Sequence, residues 1–185
     1  MPKDSLEARP GASVRRPGRD VRAVRAAKIL LVAGLGFFYS LVVFNNLFDF
    51  ESNFQFVRHV LAMDTTFPGN HGMGRALHSP AVHLAFYLGI IGWEIGMAAL
   101  SWWGAVDLLR AWKGTTAEFA AARTVPVAAL TLSLLLWLAA FLAIGGEWFL
   151  MWQSREWNGQ EAAFRNFAVA GIVLLILLQP EDGRS

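Results

Sequence analysis

The 185-residue sequence contains no cysteine and carries little charge. The missing thiols exclude a disulfide scaffold, a thiolate zinc site, a cysteine-ligated iron–sulfur cluster and a cysteine nucleophile. Charged residues make up 16% of the chain, against ~25% in soluble domains, and apolar residues make up 55%. Mean hydropathy is +0.41. This balance excludes a disordered chain, which lacks the apolar surface to fold, and argues against an ordinary soluble domain. There is no H-E-x-x-H pattern and no P-loop, which removes the usual zinc-protease and nucleotide-binding readings.

The net charge of +2 is unevenly placed. Residues 1–28 hold eight basic groups and three acidic ones, so this stretch is +5 and the remainder is −3. The basic character therefore belongs to a Pro/Gly/Arg-rich segment that directly precedes a hydrophobic run. It reads as a disordered cytoplasmic tail that sets topology and meets anionic lipid, rather than as an arm for nucleic acid. Residues 29–179 then form the membrane domain, and 180–185 a short cytoplasmic C-terminus.

Four apolar stretches are long enough to cross a bilayer. Ile29 to Phe48 is uncharged over twenty residues, which at ~1.5 Å per residue covers the ~30 Å hydrocarbon core. The second stretch starts at Ser79-Pro80, a cap followed by proline at the first helical position, and runs to Asp107 with Glu94 inside it. The third lies between Arg123 and Glu147. The fourth begins near Asn158-Gly159 and stops before Pro180, with Glu161 and Arg165 spaced as a helical ion pair. Gly34-x-Gly36 and Gly92-x-x-x-Gly96 read as helix-packing positions. Arginine and lysine concentrate before the first stretch and between the second and third, as Arg110, Lys113 and Arg123. The two other connections hold only Arg58, Arg75, Arg155 and Arg165. The positive-inside rule then places both termini in the cytoplasm. Trp102, Trp103 and Trp112 mark one interface, and Trp148, Trp152 and Trp157 the other.

The connection from Asp49 to Ser79 is too long for a bare link. Ser52 and Gln55 have capping-box spacing. Behind them Phe54, Val57 and Leu61 fall beside Phe56, Val60 and Met63, opposite Gln55, Arg58 and His59. That pattern is a short amphipathic helix on the outer side. Phe67-Pro68-Gly69-Asn70 reads as a type II turn. The expected fold is all-α: a four-transmembrane-helix bundle with this outer helix between spans one and two, N-in and C-in.

The segments NNLFD at 45–49, SNFQFVRHVLAMDTTFPGN at 52–70 and GGEWFLMWQSREWNGQEAAFR at 145–165 are long and compositionally unusual. Through them, and nearly throughout from the first span onward, the chain resembles the bacterial family called predicted small integral membrane proteins, one of the families of unknown function. The Arg-rich tail lies outside the resemblance. It implies a four-helix protein of the bacterial inner membrane and supplies no activity, substrate or catalytic residue.

Candidate chemistry concentrates in two places. Within the second span His83, Tyr87, Glu94 and Ser101 share one helical face. A carboxylate near mid-span costs ~2.5–3.5 kcal/mol on insertion scales, so Glu94 marks either a proton or ion path or a hydrogen-bonded tether to a neighbouring helix, with the tether favoured. On the outer side Asn45, Asn46, Asp49, Asp64, Thr65, Glu147, Gln153, Asn158, Gln160 and Arg165 could surround one pocket. Glu147 could ligate a cation or pair with Arg155 or Arg165, although a solvated carboxylate among tryptophans is the simpler reading. All four histidines, His59, His71, His78 and His83, lie in or beside the first outer connection. With none in the other spans, haem held between helices is not expected, and no metal or cofactor is assigned. Three functions remain. The leading one is an accessory or assembly subunit of a larger membrane complex or homo-oligomer. The others are an ion- or proton-coupled transporter or channel component using Glu94, and an outward-facing metal-binding protein or enzyme.

Overall fold

The computed structural model describes residues 19–181; the expected tail up to residue 18 and the last four residues of the C-terminus lie outside the described residues. Every regular element among the described residues is helical. In chain order they are α1 (Arg19–Phe48), α2 (Phe50–Ala62), a short 3₁₀ turn (His71–Arg75), α3 (Pro80–Arg110), α4 (Thr116–Ala121) and α5 (Thr124–Leu135). α5 runs on as a π-helical segment, Leu136–Trp148; a second 3₁₀ turn and α6 (Gln160–Leu178) complete the chain. Four helical runs are long and apolar enough to span a membrane: Val21–Phe48, Pro80–Arg110, Thr116–Trp148 and Gln160–Leu178. α1 lies along α3, α3 along α5, and α6 along α5 and the π-segment, whereas α1 and α6 meet more thinly. Their outward faces carry large apolar side chains such as Leu30, Phe48 and Leu175, the surface that hydrocarbon rather than water would cover.

The boundary expected at Lys28 requires correction. α1 begins at Arg19, and residues 19–28 are helical rather than a disordered tail. Arg25 and Lys28 are 0% and 1% exposed, so they do not face lipid headgroups. Arg25 holds Glu181 through two bonds of 2.8 and 2.7 Å and donates to the carbonyls of Trp112 and Gly114 at 2.9 and 2.8 Å. Its guanidinium lies 4.6 Å from the centre of the Phe119 ring. Lys28 Nζ donates to Gln179 O at 2.5 Å, and Arg123 reaches Leu177 O at 3.0 Å. The last carbonyls of a helix have no partner within it and carry partial negative charge. Three cations therefore close the chain just beyond α3 and at the end of α6. These partners keep the residues before Ile29 in the helix.

Local signals mostly govern the other boundaries. Ser79 stands at the N-cap position of α3 without a side-chain capping bond, and Pro80 starts the helix. Gly69 sits at φ +77° and Asn70 N–H bonds Phe67 O at 3.3 Å, the geometry a type II turn needs. The capping box expected at Ser52 is absent: α2 starts earlier, after Asp49, and Gln55 bonds Glu51 instead. A capping box does form at Thr115 and Glu118, starting α4. The third span departs from a plain α-helix. Phe149 N–H bonds Ile144 O at 2.9 Å, five residues back, which marks π winding at the end of the span.

Two apolar clusters fill the interior. The larger joins Val32, Leu35 and Tyr39 of α1 to Met97 and Leu108 of α3, Leu130 and Trp137 of the third span, and Ala170 and Val173 of α6. The smaller lies under α2 and joins Val57, Val60 and Leu61 to Tyr87, Ile91, Phe149 and Met151. Glycine has different uses on different faces. Gly36 admits the Trp102 ring, and a Cβ on Gly104 would stand 2.7 Å from Pro126 Cδ. A Cβ on Gly34, Gly89, Gly92 or Gly96 would meet nothing within 4 Å, so the G-x-x-x-G of α3 packs against no helix among the described residues. Gly104→Ala should accordingly lower stability by ~1–3 kcal/mol through overpacking. Gly89→Ala should leave it unchanged or raise it slightly. Thermal unfolding midpoints of both variants in detergent distinguish the two glycines.

Candidate functional site

Four residues of α3, His83, Tyr87, Glu94 and Ser101, all face inward as their spacing predicts, and all are buried. They do not form one continuous polar path. His83 Nε2 lies 2.7 Å from Leu77 O. A carbonyl only accepts, so Nε2 carries the hydrogen and His83 fastens the connection that precedes α3. Tyr87 donates its hydroxyl to Asn46 O at 2.8 Å, satisfying one of the carbonyls that α1 leaves open at its end. The Asn46 side chain in turn donates from Nδ2 to Glu94 Oε2 at 2.6 Å. Glu94 is 2% exposed. It is central in α3, as expected, and level with Asn46, two residues before α1 ends at Phe48. Beyond it on the same face stands Met97, 0% exposed, and no hydrogen bond joins Glu94 to Ser101 among the described residues.

Glu94, Asn46 and Tyr87 thus meet where α1 breaks and α2 begins, with only Asp49 between the helices. Phe50 and Phe54 of α2 close over Tyr87, with ring centroids 4.8 and 5.8 Å away. Chemically this is a clamp. An amide gives a hydrogen to a buried carboxylate, and a phenol gives one to the backbone beside that amide. Both bonds hold the α1–α2 corner against α3.

The ten polar residues expected around one outer pocket are divided by the structure, not gathered. Asn46 belongs to the Glu94 clamp. Asn45 and Asp49 are exposed at the α1–α2 corner, where their carbonyls accept from Asn53 Nδ2. Asp64 lies 2.9 Å from His59 Nδ1, and the His59 ring stacks on Trp157 at 4.7 Å. Thr65 donates to Ser154 at 2.8 Å, and Gln153 accepts from Phe67 N–H at 3.1 Å. These last two bonds stitch the long connection to the loop before α6. Thr65 and Gln153 share a shallow depression with Arg155 and Glu156. Asn158 accepts from Gln160 N–H at the start of α6. Glu147 is exposed, and Arg165 lies lower on α6 beside α1. The ion pairs among the described residues are Arg25–Glu181 and Asp107–Arg110, and His59–Asp64 is a hydrogen-bonded contact, so neither Glu147 nor the expected Glu161–Arg165 pair is engaged. No group of three or more His, Asp or Glu residues converges among the described residues.

Two polar assemblies have no counterpart among the residues singled out from sequence. One is the set of buried cations around Glu181. The other links α1 to the third span: the Tyr39 hydroxyl meets the Ser133 hydroxyl and accepts from Trp137 Nε1 at 3.1 Å. A signal for the second exists in the sequence. Trp93 and Trp137 are the two tryptophans outside the expected interfaces, and each donates to a neighbouring helix, Trp93 to Leu132 O at 3.1 Å.

Residues 24–180 match the family model described as predicted small integral membrane protein (DUF2165). The chain belongs to this family. The match begins before Arg25 and Lys28, so part of the basic segment set apart from the resemblance lies inside the family region. No curated protein and no solved structure matches the chain. Membership makes this an integral membrane protein, which fits the four apolar helices.

Glu94→Leu leaves the half-buried Asn46 amide without its acceptor and should cost ~1–3 kcal/mol. Glu94→Gln keeps a carbonyl acceptor in place and should cost less than ~1 kcal/mol. Thermal midpoints of the two variants test the clamp; equal losses would argue against it.

Proposed function

We propose that this protein is a small accessory or assembly subunit of a larger complex in a bacterial inner membrane. Its four spans form a helix bundle with both termini cytoplasmic and with α2 as an amphipathic helix on the outer side. The reading rests on one contrast. The buried ionisable side chains are engaged within the chain: Arg25 with Glu181, Lys28 with Gln179 O, His83 with Leu77 O and Glu94 with Asn46. The exposed face of α3 is left unmatched, since Gly89, Gly92 and Gly96 have open space where another helix backbone could approach closely. A polypeptide that spends its interior polar groups on holding itself together and presents a small-residue face outward is suited to docking rather than to chemistry.

Orientation is supported by the cations. Arg25, Lys28 and Arg123 are fixed at the end opposite α2, where Arg110 and Lys113 also lie. For α2, Val57, Val60 and Leu61 are buried, while Glu51, Ser52 and Arg58 are exposed. Glu94 acts here as the tether between α3 and the end of α1. A conduit through Glu94 would require a polar route past Met97, and that position is a fully buried thioether.

Affinity purification of the full chain from its native membranes in mild detergent tests the proposal. A reproducible partner should be recovered with the wild type and lost with Gly92→Leu, whose thermal midpoint stays within a few degrees of the wild type. A monomer in both cases, or a partner retained by Gly92→Leu, would overturn the docking role of this face.

A further inference from the structure

Where α1 and α6 separate, a groove of about 390 Å³ opens along the membrane-spanning surface. Leu30, Gly34, Leu35 and Phe38 of α1 line one side, and Val169 and Val173 of α6 line the other. Apart from Tyr39, whose hydroxyl is already bonded to Ser133 and Trp137, the groove is polar only on the α6 turn nearer α2, where Arg165 and Asn166 line it. Arg165 is the sixth residue of α6, so its Cα lies ~8 Å below the start of that helix. It is exposed, and among the described residues it makes no hydrogen bond or ion pair. Asn166 beside it is half-buried, and its side chain likewise makes no hydrogen bond among the described residues.

An arginine on a membrane span ordinarily has a counter-charge; among the described residues Arg165 is in no ion pair, and Glu161 one turn earlier on α6 does not reach it. The remainder of the groove calls for an apolar filling. Gly34 keeps it open, since a Cβ there would meet nothing within 4 Å. One class of molecule meets both demands, with an anion at one end and a hydrocarbon chain running from it toward the bilayer centre.

We propose that this groove binds one anionic glycerophospholipid from the leaflet on the α2 side, with its phosphate at Arg165 and Asn166 and an acyl chain lying across Gly34. A guanidinium matches phosphate oxygens through paired N–H donors and is weakly hydrated, which suits a site at the edge of hydrocarbon. The groove is a cleft between two helices and not a flat face.

Native mass spectrometry of the delipidated full chain in neutral detergent, titrated with phosphatidylglycerol and separately with phosphatidylcholine, tests the site. The wild type should retain one phosphatidylglycerol in preference to phosphatidylcholine. Arg165→Gln should weaken phosphatidylglycerol binding by about tenfold, the loss of one charge-assisted contact. Arg165→Lys should restore part of the preference. Gly34→Leu should weaken both lipids by filling the chain site, and Arg155→Gln, outside the groove, should change neither. Arg165 lies on the surface, so its substitution tests the site without disturbing the core. Unchanged phosphatidylglycerol binding in Arg165→Gln would overturn the proposal. So would a dimer of this chain that dissociates on that substitution while lipid binding is unaffected, because a second copy would then occupy the groove.

Discussion

Hydrocarbon offers a polar group no partner, and most of what joins these helices follows from that constraint. Several polar connections cross between spans, among them Trp102 of α3 to Ser40 of α1 at 3.1 Å. Asn46 reaches from α1 to Glu94 of α3, and Tyr39 from α1 to Ser133 and Trp137 of the third span. Trp93 reaches from α3 to Leu132 O of α5, and Lys28 from α1 to the end of α6. Each bond orients a pair of helices that apolar packing alone would leave free to slide. Dispersion contacts are nearly independent of direction, whereas a hydrogen bond fixes both height and rotation.

The connections lie at three levels, each of a different kind. At one end, cations close helix termini and a carboxylate. At the middle, hydroxyls and indoles link α1 to the third span. Where α1 gives way to α2, an amide and a phenol clamp the corner to Glu94. Above that corner the two long loops hold each other through Thr65 with Ser154 and Gln153 with Phe67, over an apolar cluster of their own. The region on the α2 side is therefore a second packed layer rather than loose connections. Arg165 is the contrasting case, a cation on a span that none of these networks absorbs.

Much of the architecture was legible in the residues. Long apolar runs marked the four spans, Pro80 and Gly69 a helix start and a turn, and the spacing of His83, Tyr87, Glu94 and Ser101 the buried face of α3. The partners of that face were not legible. Asn46 was grouped with outer polar residues because topology assigns a side and says nothing about distance. Arg25 and Lys28 were grouped with a tail because charge before a span has the same composition whether it is solvated or buried. The π winding of Leu136–Trp148 left no mark either, since an apolar run packs equally well by composition in either winding.

By itself, the sequence determined that this chain enters a membrane, how many times it can cross, and which face of α3 turns inward. Length and periodicity set these, and both are local properties that each helix carries alone. Only the tertiary structure decided what each inward polar group meets, where α1 truly begins, which glycines touch a neighbour and which stay bare, and that Arg165 stands beside an open groove. Those outcomes depend on the relative height and rotation of helices distant in sequence, and no stretch of residues encodes them separately from its partners.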